Sequence, residues 1–160
     1  MIRAYVALGA NLGHPAATVR AALAALSGIP ESVLVAASSL YRTAPVGLKH
    51  QPDFINAVAA VDTALTPLAL LDALFAIEAD FGRSRSVKNA PRTLDLDLLL
   101  YGESRLDEAR LTLPHPRMHE RAFVLVPLAE LAPECRIPGH GELSELLAFC
   151  RGQDVVRIAS

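Results

Sequence analysis

The segment Pro91 to Leu100 reads Pro-Arg-Thr-Leu-Asp-Leu-Asp-Leu-Leu-Leu and places two carboxylates inside a leucine-rich run. Side chains alternate between the faces of a β-strand, so this pattern predicts a strand with Asp95 and Asp97 on one face, about 7 Å apart along it. The opposite face is predicted to carry Leu94, Leu96, Leu98 and Leu100. Two like charges on one face repel each other unless a cation lies between them. A solvated sheet face is the purely structural alternative.

A basic stretch lies immediately before this strand. No acidic residue occurs between Phe81 and Leu94, in a chain whose formal net charge is −2. The basic residues of the stretch are Arg83, Arg85, Lys88 and Arg92. Alone, such a run is typical of a solvated loop. Next to paired aspartates it favours a site for a metal-complexed polyphosphate.

Composition limits the class of protein. With 160 residues, 52% of them hydrophobic and 20% charged, we expect a single globular domain over residues 1–160. The N-terminus lacks the features of a signal peptide, and no apolar run reaches the roughly 18 residues of a membrane span, which predicts a cytoplasmic protein without a membrane partner. The slightly acidic charge balance argues against nucleic-acid binding. Cys135 and Cys150 lack metal-site spacing and are expected to be reduced thiols.

Hydrophobic periodicity predicts a β-α-β-β-α-β order. The predicted elements are a strand from Ile2 to Leu8 with a turn over Gly9 to Gly13, a helix from Pro15 to before Gly28, strands from about Val33 to Tyr41 and from Phe54 to Val61, a helix from Pro67 to Phe81, and the aspartate strand. This is an α/β (α+β) fold of the ferredoxin-like type, in which two helices cover one face of an antiparallel sheet and leave the other free for ligands. Beyond it we expect a short strand or hairpin over Leu106 to Leu113 and C-terminal helices over residues 117–131 and Leu143 to Cys150.

Other common site motifs do not fit this chain. The turn over Gly9 to Gly13 lacks the phosphate-loop pattern and is interpreted as structural. His115 and His119 have i, i+4 spacing, but Pro114 and Pro116 break the helix that a zinc site would need. No serine or cysteine nucleophile motif occurs. The aspartate strand and its basic neighbours therefore remain the favoured site.

Five motifs together carry a family resemblance that spans nearly the whole chain. They are Gly-x-Asn-Leu-Gly at Gly9 to Gly13, Ser39-Leu40-Tyr41-Arg42-Thr43, Gln51-Pro52-Asp53-Phe54-Ile55-Asn56, Arg92-Thr93-Leu94-Asp95-Leu96-Asp97 and Leu111-Thr112-Leu113-Pro114-His115-Pro116. In this combination the sequence resembles the 6-hydroxymethyl-7,8-dihydropterin pyrophosphokinases of folate biosynthesis. The resemblance implies a ferredoxin-like enzyme that transfers the β,γ-pyrophosphate of ATP to the pterin hydroxymethyl group and releases AMP.

The same resemblance implies roles for individual residues. The catalytic set is Arg83, Arg92, Asp95 and Asp97, with Asp95 and Asp97 holding two Mg²⁺ ions. The ATP-binding set is Glu78, Arg83, Arg85, Lys88, Arg92, Leu98, Arg110, Leu111, Thr112, His115 and Arg121. The pterin-binding set is Phe54, Asn56 and Phe123, with backbone contacts from Thr43, Ala44 and Val46. No general base is evident, and Asp97 is the candidate that assists loss of the hydroxyl proton.

The sequence also departs from its relatives, and alternatives stay open. Lys88-Asn89-Ala90-Pro91-Arg92 stands where many members carry a tryptophan, and Phe54 replaces a frequent tyrosine. A different Mg²⁺-dependent phosphotransferase or nucleotidyltransferase would share the aspartates and arginines without needing a flat-ring pocket. A non-catalytic regulatory module would need neither metal nor arginines. We expect a monomer whose partners are ATP and the hydroxymethyl-dihydropterin.

Overall fold

The computed structural model of the protein describes residues 1–45, 51–82 and 93–158. Its strands are β1 (Ile2–Ala10), β2 (Ser32–Ala37), β3 (Tyr41–Thr43), β4 (Phe54–Thr63), β5 (Asp95–Tyr101), β6 (Leu106–Asp107), β7 (Thr112–Leu113), β8 (Arg136–Ile137), β9 (Gly141–Glu142) and β10 (Val156–Arg157). Its helices are α1 (Pro15–Leu26), α2 (Pro67–Asp80), α3 (Ala122–Leu131) and α4 (Leu143–Ala148). The main sheet is antiparallel and runs β10-β3-β4-β1-β5, with β2 also paired to β4. The predicted mixed fold with an antiparallel sheet is confirmed.

Helices α1 and α2 cover one face of this sheet, as predicted. Pro67 begins α2, and the Thr66 hydroxyl accepts a hydrogen bond from the backbone nitrogen of Ala69 at 3.2 Å, which caps the helix N-terminus. The apolar sides of both helices pack on alternate residues of the central strands. This first core contains Val19, Ala22, Leu26, Leu70, Leu74, Val6, Leu8, Leu94, Leu96 and Leu98. Burial of this apolar surface holds the helices to the sheet.

The opposite face is not wholly free, and this part of the prediction is wrong. Helix α3 packs on it and α4 packs on α3, and the two helices form a second core with Val58, Leu99 and Leu100. Helix α3 carries buried apolar residues along its length and needs an apolar surface to cover them. Among the described residues, the part of this face near Gly9 and Asp95 lines a cavity.

A β-bulge explains why the leucine alternation fails near the end of β5. Val6 pairs with Leu98, whereas Tyr5 pairs with Leu100, so Leu99 is an extra residue in the ladder. Leu100 therefore joins the second core together with Leu99, and not the first core as predicted. Leu94, Leu96 and Leu98 lie on the predicted face, opposite the aspartates.

Several predicted boundaries also change. The strand predicted over Val33 to Tyr41 is divided into β2 and β3, because Ser38 lies between them and bonds the backbone of Val58 with both its backbone and its side chain. The Ser38 nitrogen donates to the Val58 carbonyl at 2.8 Å, and the Ser38 hydroxyl accepts from the Val58 nitrogen at 2.9 Å. The helix predicted over residues 117–131 begins only at Ala122, after a 3₁₀ turn, because Arg121 has an extended backbone. The helix predicted over Leu143 to Cys150 ends at Ala148. Within the described ranges, none of the helices is long and apolar enough to span a membrane.

Candidate active site

A cavity of about 730 Å³ opens on the uncovered part of the second sheet face. Its floor is formed by strands β1, β3, β4 and β5, and one wall by the turn that leads into α3. Gln153, Asp154 and Val155 close another side. The volume lies within the range of small-molecule binding pockets.

The floor is a row of residues in register across three strands. Gly9 of β1 pairs with Asp95 of β5 on one side and with Asn56 of β4 on the other. Ala7 pairs in the same way with Asp97. Paired residues of antiparallel strands point to the same face of the sheet. The two carboxylates and the amide therefore face one space, and the small side chains of β1 leave that space open between them.

The Asn56 side chain is held in a fixed orientation. It is only 7% exposed, and its amide nitrogen donates a hydrogen bond to the hydroxyl of Thr43 at 2.8 Å. A Cβ atom built on Gly9 would lie 3.0 Å from the Asn56 Oδ1 atom, so the amide rests directly over the glycine. Glycine at this position thus gives the amide room, and β3 fixes its direction.

Two aromatic rings line the cavity from different elements. Phe54 is half-buried at the start of β4, and Phe123 is half-buried in the first turn of α3. The Arg121 guanidinium carbon lies 5.5 Å from the centroid of the Phe123 ring, which is a cation–π distance. Aromatic faces of this kind bind flat heterocycles by stacking, while an amide recognises their donor and acceptor edge.

Both acidic and basic groups line the cavity. Asp95 and Asp97 lie on β5, and Arg117 and Arg121 lie on the wall that leads into α3. Within the described residues, no group of three or more His, Cys, Asp and Glu side chains is arranged to hold a metal ion. Mg²⁺ needs no such cage, because it commonly takes one or two carboxylates and completes its shell with phosphate and water oxygens. Asp95 and Asp97 fit that donor set.

His115 is a neutral hydrogen-bonding group beside these charges. Burial lowers its pKa; Asp97 opposes this shift, whereas Arg121 and Arg117 reinforce it. Its Nδ1 atom accepts a hydrogen bond from the backbone nitrogen of Arg117 at 3.2 Å. The neutral ring therefore carries its proton on Nε2, where it is available as a donor.

Comparison with known proteins identifies the family. Residues 5–133 match the family model described as 7,8-dihydro-6-hydroxymethylpterin-pyrophosphokinase (HPPK). The chain belongs to this family. A Pseudomonas aeruginosa protein named 2-amino-4-hydroxy-6-hydroxymethyldihydropteridine pyrophosphokinase is 54% identical over 156 residues, which is 98% of this chain and 96% of the relative. A Haemophilus influenzae protein of the same name is 48% identical over 147 residues, 92% of each chain. The family and the enzyme type, an ATP-dependent pyrophosphokinase, are thereby confirmed.

Solved structures of longer proteins share the HPPK fold. A Plasmodium falciparum HPPK-DHPS A437G structure with STZ-DHP superposes with a TM-score of 0.72 at 14% identity, covering 92% of this chain and 45% of that one. An HPPK-DHPS structure in complex with substrates gives 0.70 at 13% identity, covering 94% and 43%. This chain therefore spans less than half of those proteins, and at such identities the likeness shows the fold alone.

The structure brings together many residues that the sequence predicted for the HPPK site. From the pterin set, those that line the cavity are Thr43, Ala44, Phe54, Asn56 and Phe123. From the catalytic and ATP sets, Asp95, Asp97 and Arg121 line it. Val46, Arg83, Arg85, Lys88 and Arg92 lie outside the described residues.

Four further residues of the ATP set do not line the cavity. Leu98 and Leu111 are buried in the first core, Thr112 lies on β7, and Arg110 forms an ion pair with Asp72 of α2. Strand β7, which carries Thr112, contacts β5, the last strand in the order of the main sheet.

Glu78 of α2 bonds the backbone of the strand that carries the two aspartates. It is 1% exposed, and its Oε2 atom accepts a hydrogen bond from the backbone nitrogen of Leu96 at 2.8 Å. Leu96 lies between the two aspartates on the edge strand, and its nitrogen points away from β1. Glu78 thus satisfies an edge-strand donor and fixes the backbone that carries Asp95 and Asp97.

Sequence reasoning missed two parts of the site. It placed Gly9 in a turn, whereas β1 continues through Ala10 and makes Gly9 part of the floor. A glycine within a strand pattern was the available signal, because it often marks a close approach by another group. It also assigned no role to Arg117, Glu120 or residues 153–155, which line the cavity although no local motif distinguishes them.

Proposed function

We propose that this cavity transfers pyrophosphate from ATP to the hydroxymethyl group of 6-hydroxymethyl-7,8-dihydropterin and releases AMP, a step of folate biosynthesis. The observation that carries the proposal is the row Asp95–Gly9–Asn56 across the sheet floor. It sets a buried amide and the Asp95 carboxylate on one face with the small Gly9 between them, and Asp97 follows on the same face of β5. This arrangement suits a flat substrate at the amide and a charged phosphate chain at the carboxylates.

The pterin end of the site is assigned to the aromatic residues and Asn56. The ring stacks on Phe54 and Phe123, with Asn56 bonding its polar edge. The backbone of Thr43, Ala44 and Val46 completes that edge. Each stacked face contributes roughly 1–3 kcal/mol by analogy with stacked bases. This set distinguishes the proposal from another phosphotransferase or a nucleotidyltransferase on the same fold, which needs no flat-ring pocket.

The phosphate end is assigned to Asp95, Asp97 and the basic residues. Asp95 and Asp97 are proposed to hold two Mg²⁺ ions together with phosphate oxygens. When bound, magnesium neutralises phosphate charge as the pyrophosphoryl group moves. Arg121, which lines the cavity, and the Nε2 donor of His115 are proposed to bind phosphate oxygens. The same role is proposed for Arg83, Arg85, Lys88 and Arg92.

The main chemical task of the chain is positioning. The pterin contacts hold the hydroxymethyl oxygen in line with the β-phosphorus, and the arginines hold the phosphates. In a loose transition state the hydroxyl proton leaves late, so a strong base is not required, and Asp97 is the group placed to assist. The nucleoside part of ATP is assigned to the region where β7 contacts β5, with Leu98, Arg110, Leu111 and Thr112 as its proposed binding residues and Glu78 supporting the strand.

The proposal also covers the domain organisation, the oligomeric state and the cellular location of the protein. In this proposal the chain is a single catalytic domain that acts as a cytoplasmic monomer. Light scattering during gel filtration measures the mass, and a mass of twice 17.1 kDa or more would contradict the monomer.

The test of the proposed function is AMP release. Purified protein is mixed with ATP and magnesium, with and without 6-hydroxymethyl-7,8-dihydropterin, and AMP and the pterin diphosphate are quantified. We expect both products in equal amounts and only when pterin is present. Pyrophosphate release with nucleotide transfer would instead favour a nucleotidyltransferase, and absence of any reaction would contradict the enzyme assignment.

Removal of either aspartate tests the phosphate end. Asp95→Ala and Asp97→Ala are each expected to abolish AMP release while the circular dichroism spectrum stays parental, because each removes a proposed magnesium ligand from a repulsive pair. Glu103→Ala is the matched control, since Glu103 is an exposed carboxylate beyond the end of β5. Near-parental turnover by either folded aspartate variant would overturn the assignment.

A further inference from the structure

The N-terminus of α3 presents two residues of the proposed site but lacks a good cap of its own. Arg121 occupies the N-cap position, and its side chain makes no capping hydrogen bond. Arginine is not a favoured N-cap residue, and a positive charge at this end of a helix is opposed by the helix dipole. The local sequence therefore disfavours the backbone conformation that Arg121 and Phe123 require.

Gln153 supplies the missing partner from a distant part of the chain. Its amide oxygen accepts a hydrogen bond from the backbone nitrogen of Ala122 at 3.0 Å. Its amide nitrogen donates to the backbone carbonyl of Glu120 at 2.8 Å. The two bonds lie on either side of Arg121 and satisfy one donor that the helix leaves unpaired.

The segment that carries Gln153 is itself anchored at both ends. The Gln153 nitrogen donates to the carbonyl of Cys150 at 3.0 Å, and Cys150 is buried in the second core. On the other side, Val156 pairs with Arg42 of β3, and the nitrogen of Ile158 donates to the carbonyl of Leu40 at 3.0 Å. Gln153 thus joins α3 to a segment that is fixed on β3, the strand that carries Thr43.

We propose that Gln153 is a positioning residue for the reaction. Its side chain holds the backbone around Arg121, so that the Arg121 guanidinium faces the phosphates and the Phe123 ring faces the pterin. It lies outside residues 5–133, the part of the chain that matches the family model. The inference rests on the proposed roles of Arg121 and Phe123.

The test compares three variants by steady-state kinetics, with the active-site concentration determined for each. Gln153→Ala removes both hydrogen bonds, Gln153→Met removes them at similar side-chain length, and Arg151→Ala is an exposed neighbour that does not line the cavity. We expect kcat/KM to fall about tenfold in both Gln153 variants, the scale of losing one or two neutral hydrogen bonds, with a raised KM for pterin or ATP. Arg151→Ala should match the parent.

A second readout separates this inference from the proposed function. A purely structural loss would lower the active fraction and leave KM unchanged at equal active-site concentration, which would overturn the positioning role. Amide hydrogen exchange at Ala122 in the ligand-free protein is expected to accelerate at least tenfold in Gln153→Ala and Gln153→Met, whatever reaction the parent catalyses. Parental exchange in those variants would contradict the inference, whereas an inactive parent would contradict only the proposed function.

Discussion

Substitution of Gly9 by alanine tests the geometry of the cavity floor. The added Cβ would lie 3.0 Å from the Oδ1 atom of Asn56, closer than an ordinary van der Waals contact. Asn56 is buried and cannot move away without disturbing its 2.8 Å hydrogen bond to Thr43. The structure must therefore either overpack or lose a buried hydrogen bond.

Both responses have a known scale. Overpacking costs roughly 1–3 kcal/mol, and an unsatisfied buried polar group costs a similar amount. Because 1.4 kcal/mol corresponds to a tenfold change in an equilibrium constant, we expect Gly9→Ala to weaken pterin binding by about 10- to 100-fold. Binding of a non-hydrolysable ATP analogue with magnesium should change little, since Asn56 is assigned to the pterin alone.

Isothermal titration calorimetry with each ligand measures the two affinities separately. Gly28→Ala is the matched control: its Cβ would meet only the carbonyl of Ala25 at 3.5 Å, an ordinary contact, and the change carries the same backbone entropy effect. If Gly9→Ala bound pterin as the parent does, or if both ligands were weakened equally, the assignment of Asn56 to the pterin edge would be refuted.

Three further predictions concern other parts of the site and its support. Phe123→Ala should weaken pterin binding by about 1–3 kcal/mol and ATP binding much less, with the exposed Phe149→Ala as control, and equal losses for both ligands in calorimetry would reject the stacking assignment. Arg92→Ala should lower turnover by roughly 10²–10³, the scale for removing one donor aimed at transition-state charge, whereas Arg20→Ala on the exposed side of α1 should not. Glu130→Gln should destabilise the fold at neutral pH, because the Glu130 carboxylate accepts hydrogen bonds from Tyr41 (2.6 Å) and Ser39 (2.9 Å). Burial acts to raise the pKa of Glu130, but these hydrogen bonds outweigh burial and hold the pKa below its ordinary value. A carboxylate with a lowered pKa stabilises the fold at pH values above the ordinary glutamate pKa, and this contribution is lost as the pH falls through the lowered pKa. The difference in unfolding free energy between parent and Glu130→Gln should therefore shrink in acid. The control Glu134→Gln should have the unfolding free energy of the parent.

Local pattern was enough to predict most of the fold and the best-defined part of the site. Strand and helix periods depend on residues close together in the chain, and Asp95 and Asp97 share a face because of their spacing alone. Family motifs added Phe54, Asn56 and Phe123, which the structure gathers around one cavity. Their individual roles stay predictions for the experiments above.

Other features depended on residues far apart in the chain. The second core covers part of the face that was expected to be free, because α3 and α4 carry apolar residues that need a partner surface. The bulge at Leu99 depends on the register with β1 and turns Leu100 to the second core. Glu78 was predicted to contact ATP, and only the fold shows that its carboxylate bonds the backbone of β5.

The sequence by itself determined the family, the order of the main elements and the chemical types of the site residues, because these follow from composition, spacing and motifs. Only the tertiary structure decided that Gly9 lies between Asp95 and Asn56 on the cavity floor. It alone also decided that Gln153 bonds the backbone on either side of Arg121. Both relations join residues separated by 31 or more positions, and they exist only because strand pairing and core packing bring those positions together. No local pattern contains that information, since hydrogen bonds and close contacts depend on distance in space and not on distance along the chain.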